Sequence, residues 1–195
     1  MPDSRPVMPS FERLRAILFE PRNEWPRIAA ERATAQSIAV GWVMVLAAIG
    51  PVAAFAGHVD LGVARATRIA IGGYATTLVV TFVLALIADA LAPAFGGRKD
   101  FIASLKLVAY SFTAVYLAGI GHLAGPGGRI LLFAAAIVSW SSFFIGAPIL
   151  RRCENNRALA YTVVMLIAWI ALAMIAGYAI AGAGAPSAPA PVRLL

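Results

Sequence analysis

Residues 68–92 read RIAIGGYATTLVVTFVLALIADALA, and the twenty positions between Arg68 and Asp89 carry no charge. At about 1.5 Å per residue a helix of that length covers about 30 Å, the depth of a bilayer's hydrocarbon core. Lipid offers the backbone no hydrogen-bond partner, so a stretch of this kind must be helical. Four further stretches share its character. The spans are expected at Gln36 to Gly57, Arg68 to Ala92, Phe101 to Ala124, Arg129 to Leu150 and Ala158 to Gly182. The fold class is therefore all-α: a polytopic transmembrane bundle of five helices.

Composition agrees. The 195 residues are 61% hydrophobic and 13% charged, with a mean hydropathy of +0.83, more than a soluble domain of this size would bury. Pro93, Gly96 and Gly97 break the chain after the second span, and Pro126, Gly127 and Gly128 do so after the third. Short connections of this kind make consecutive helices antiparallel neighbours. Three regions follow: an N-terminal segment (1–35), the five-helix unit (36–182), and a tail (183–195) whose Ala and Pro give it little to bury.

Lys and Arg outnumber Asp and Glu by seven. No basic patch is interleaved with aromatics, so nucleic acid is not an expected partner; in a membrane chain the excess reports orientation and contact with anionic lipid. Eleven basic residues fall on the side of the N-terminus and the second and fourth loops, against Arg65, Arg68, Arg129 and Arg193 on the other. The positive-inside rule then gives N-in/C-out. Arg far exceeds Lys and Ala is abundant, which points to a high-GC bacterial gene and hence an inner membrane. The lone Cys153 excludes an internal disulfide.

Before the first span, Ser10 can cap a short amphipathic helix that places Phe11, Leu14, Ile17 and Leu18 on one face and ends at Pro21. Its apolar face is expected in the headgroup region or on the bundle. Trp25 reads as an interface anchor, and Pro26 suits the first turn of a following helix. Small residues at four-residue spacing, such as Gly50 with Ala54 and Gly73 with Thr77, give faces for close helix approach. Trp140 and Trp169 sit mid-span and should seek Ser139, Ser141 or Ser142 with their indole N–H groups.

Reactive chemistry is sparse. There is no Gly-rich nucleotide loop, no G-x-S-x-G elbow and no pair of intramembrane acids, so neither catalysis nor a cofactor is expected. His58, Asp60 and His122 are the candidate ligands of an outward-facing metal site, but their spacing matches no metal motif and loop histidines are the simpler reading. Asp89 and Lys106 lie about one turn inside the same boundary and are expected to pair, tying the second helix to the third. Tyr110, Ser111, Thr113, Ser139 and Ser142 could form the polar lining of a small transporter or channel, the alternative to a protein that interacts with lipids, other membrane proteins or itself.

The order of several segments resembles the bacterial branch of the YIP family, named for eukaryotic Ypt/Rab-interacting proteins. The segments are LFEPRNEWPRIAAE (18–31), AYSFTAVYLAGI (109–120), SFFIGAPIL (142–150) and YTVVMLIAW (161–169). Where relatives carry a proline after the Tyr-Ser-x-Thr run this chain has Ala114, and the Asp-Leu-Tyr-Gly-Pro signature of eukaryotic members is missing. The resemblance implies a five-span membrane protein. Eukaryotic relatives act in vesicle traffic and bind prenylated small GTPases; a bacterium has neither, so that activity is carried to no residue here.

Overall fold

The computed structural model describes residues 8–151 and 155–183; Cys153 lies outside them, as does all but the first residue of the tail. Among the described residues every regular element is a helix. Helix α1 (Phe11–Phe19) is capped by Ser10, whose Oγ accepts from the Arg13 N–H at 3.3 Å. After Glu20 the chain turns at once into α2 (Pro21–Ala30), with Pro21 in its first turn. Proline there removes only an N–H that would have had no helical partner. Pro26 was expected to open a helix but lies inside α2, which begins five residues earlier.

Thr34 and Ser37 form a reciprocal capping box at the start of the first span. Five helical stretches are long and apolar enough to cross a membrane: Ala35–Gly57, Val63–Phe95, Phe101–Ala124, Gly127–Arg151 and Arg157–Tyr178. All five expected spans are present. The first includes a π-helical stretch, Ala39–Val43, that carries Trp42. The second runs unbroken to Leu91 and closes in a 3-10 turn that ends at the left-handed Gly96.

The third span is the axis of the bundle. Its apolar window is 78% buried, against 22–44% for the other four. It touches the first, second and fourth spans, while the fifth packs on the second and fourth, so consecutive spans are neighbours as short loops require. Outward positions such as Val52, Ile71, Val79, Phe133 and Ile167 are exposed. Lipid is as apolar as they are, so close packing rather than water exclusion must hold the helices together.

Close packing is concentrated where backbones meet. A Cβ added to Gly119 would stand 2.6 Å from the Cα of Gly50 and one on Gly146 would stand 2.5–2.7 Å from ring carbons of Trp25, whereas one on Gly73 meets nothing within 4 Å. Gly50 therefore serves a contact between spans and Gly73 does not. Gly119→Ala should cost about 1–3 kcal/mol through overpacking, while Gly73→Ala should be neutral or slightly stabilising. Equilibrium unfolding in mixed micelles distinguishes the two, and equal effects would contradict the packing described.

Candidate functional site

The N-terminal segment packs along the flank of the third and fourth spans, with Leu18 beside Ala114, Ala118 and Ala135. Helix α1 packs on the third and fourth spans and α2 packs on the fourth. Trp25 is 1% exposed; its indole N–H donates to Ser142 Oγ at 3.2 Å, and its ring fills the notch left by Gly146. Trp25 is thus not an interface anchor. A neighbouring span supplies both the missing side chain and the hydroxyl, so the indole is satisfied inside protein.

Arg13 comes from α1 and makes a two-pronged contact with Glu31, at 3.1 and 2.5 Å, with Glu24 3.8 Å away. Its guanidinium also lies over the Tyr110 and Trp42 rings, 5.0 and 5.6 Å from their centres. Burial is the largest single influence and works against the charge, but Glu31, Tyr110 and Glu24 together outweigh it and the pKa of Arg13 is raised above its ordinary value. Arg13 therefore stays charged. On the outer side Glu24 also meets Arg27 at 3.5 Å.

The Lys106 ammonium, in the third span, is 4% exposed and donates to the carbonyls of Ile28 (2.8 Å) and Glu31 (2.5 Å). These carbonyls belong to the C-terminal end of α2, where helical partners run out and the helix dipole is negative. One cation thus satisfies two acceptors. Asp89 pairs instead with Arg151, 3.3 Å away, and its Oδ1 accepts from the Asp100 N–H (2.7 Å) and Ser104 Oγ (3.4 Å). Arg151 also donates to the carbonyls of Asp100 and Arg98.

The expected Asp89–Lys106 pair is therefore replaced by two separate arrangements. Azimuth decides the partners. Ser104 is the residue of the third span that faces Asp89, and two residues further on is about 200° around the helix. Lys106 consequently points to α2, on the opposite side.

Two of the five candidate lining residues bind indoles, while the Tyr110, Ser111 and Ser139 hydroxyls are buried with no hydrogen-bond partner among the described residues. Thr113 accepts from the Trp42 indole at 3.2 Å, Ser142 from that of Trp25, and Tyr110 lies beneath Arg13. Ser111 and Ser139 are likewise buried. Trp140 does not reach a serine; it packs edge-on against Phe112 and Trp169. His58 and His122 each place Nδ1 on a carbonyl of their own turn, Ala54 and Gly119, and among the described residues no three metal-ligating side chains cluster, Asp60 included.

Two hollows flank the N-terminal segment. A polar cleft of about 680 Å³ lies between the end of α2, the loop before the third span and the end of the fourth. An apolar groove of about 910 Å³ runs between the fourth and fifth spans, with Trp140 and Trp169 among its walls and Arg22 also lining it.

Sequence reasoning missed Arg13, Glu31, Glu24 and Arg151 as bundle residues. The available signal was that Arg13 shares a face of α1 with Ile17, and that Glu24 and Ile28 share one of α2 with Trp25.

Five long apolar helices and a capped N-terminal segment define a multi-pass integral membrane protein. The chain matches the family model described as Yip1 domain over residues 15–180 and belongs to that family. No curated protein and no solved structure matches it.

The two charge arrangements make a quantitative prediction. In a double-mutant cycle Asp89→Asn and Arg151→Gln should couple by about 1–3 kcal/mol, whereas Asp89→Asn and Lys106→Gln should be additive within about 0.5 kcal/mol. Unfolding equilibria in bicelles measure both cycles, and strong coupling of Asp89 with Lys106 would contradict the geometry.

Proposed function

We propose that the protein is a non-enzymatic component of a bacterial inner membrane that engages lipids and partner proteins through the face formed by α1 and α2, with the N-terminus in the cytoplasm and the C-terminus outside. One observation carries the reading. The inner side chains of the segment are consumed by the bundle, while Phe11 (82% exposed), Phe19 (77%) and Met8 (63%) point away from it beside the exposed Arg15, Arg22 and Arg27. Large apolar groups interspersed with arginines on a helical surface suit contact with lipid. A rigidly held segment of this kind presents a fixed contact surface rather than a loose tether.

The eleven-to-four distribution of basic residues supports the orientation. The transport alternative draws no support from the hydroxyls it would need, because those are packed between helices.

A photo-reactive amino acid at Phe11 or Phe19 of the full chain in native membranes tests the role. It should yield adducts with anionic lipid or with one recurrent protein, and the same residue at buried Ile17 should yield only internal links. Absence of intermolecular adducts at both exposed positions would refute the reading. A reporter active only in the periplasm should work when fused after Leu195 and fail after Gly97; the reverse pattern would refute the orientation.

A further inference from the structure

We propose that the polar cleft beside α2 binds the phosphate headgroup of an anionic membrane lipid, a phosphate monoester such as that of phosphatidic acid being the best match. The inference deepens the preceding reading and rests on it.

Five cationic residues, Arg32, Arg98, Lys99, Lys106 and Arg151, the last of them paired with Asp89, line the cleft against two carboxylates, Glu31 and Asp100. Both carboxylates are already committed. Glu31 is held by Arg13, and Asp100 caps the third span by accepting from the Ala103 N–H at 3.0 Å. By contrast Arg32, Arg98 and Lys99 are exposed, and their side chains have no partner among the described residues. Like charges gathered at one rim repel one another unless an anion lies between them. Beneath them, the buried Lys106 ammonium uses two of its three N–H bonds on the carbonyls of Ile28 and Glu31, which leaves one.

Depth and wall chemistry select the source of the phosphate. Asp100 starts the third span and Arg151 ends the fourth, so the cleft lies where these helices leave the hydrocarbon, at the level of headgroups. Ile102, Ile149 and Leu150 form part of its lining. An apolar wall beside cations is suited to a phosphate that carries a glycerol ester and acyl chains, and gives nothing to inorganic phosphate. A volume of about 680 Å³ leaves room for the ester as well as the phosphate. Arginine forks supply the two-pronged donation that phosphate oxygens accept.

The test uses the full chain in detergent micelles, titrated by thermal shift with dihexanoyl phosphatidic acid, dihexanoyl phosphatidylcholine and inorganic phosphate. Phosphatidic acid should raise the melting temperature saturably; phosphatidylcholine and inorganic phosphate should do so weakly or not at all. The triple variant Arg32→Gln, Arg98→Gln, Lys99→Gln should melt like the wild type without lipid and bind phosphatidic acid about a hundredfold more weakly, as loss of three near-surface cations implies. A control, Arg65→Gln, Arg68→Gln, Arg129→Gln, removes the same charge from exposed positions at the opposite end of the bundle and should respond like the wild type.

Equal loss in both triple variants would overturn the cleft in favour of diffuse attraction. An equal shift with inorganic phosphate would overturn the lipid assignment, and no shift in the wild type would overturn the site. Lipid or protein adducts at Phe11 and Phe19 together with any of these results would leave the surface role standing and remove only the cleft.

Discussion

The carbonyls that end α2 need donors, and the buried Lys106 supplies them. An unsatisfied backbone acceptor costs several kcal/mol in such surroundings. The Lys106 ammonium answers two of them at once, and in doing so solves its own problem, since a buried cation without oxygen ligands would be equally unfavourable. Much of the architecture depends on this mutual requirement. The third span must sit at the centre for Lys106 to reach α2, and α2 must dock at one depth and one angle to present its last carbonyls. Arg13 then finds Glu31 in the same turn, and Trp25 finds Ser142 and the space above Gly146.

The arrangement makes the N-terminal segment part of the bundle while keeping it amphipathic. Its inward side carries charges that are neutralised within protein, and on its outward side Phe11, Phe19 and several arginines are exposed. The polar cleft and the apolar groove both border α2 or its ends, so ligands in either would be read by the same docked element.

Much of the fold was legible because the bilayer makes hydrophobic length a nearly sufficient signal. The five spans, their antiparallel neighbours and the helix from Ser10 to Glu20 could be read from apolar runs, glycines and prolines. What could not be read was azimuth. Equal depth made Asp89 and Lys106 look like partners, yet the turn between Ser104 and Lys106 sends the ammonium to α2. Trp25 looked like an interface anchor because tryptophan beside a span usually is one; its burial depends on a glycine and a serine more than a hundred residues away. Two of the hydroxyls that resembled a polar lining, Thr113 and Ser142, are instead acceptors for indoles, a role set by tertiary contact alone.

Hydrogen exchange of the full chain in nanodiscs tests the docking of the N-terminal segment most directly. The backbone amides of α1 and α2 should be protected nearly as well as those at the ends of the spans, and Lys106→Met should release α2 while the third span remains protected. Free exchange of α1 and α2 in the wild type, beside well-protected spans, would contradict the account.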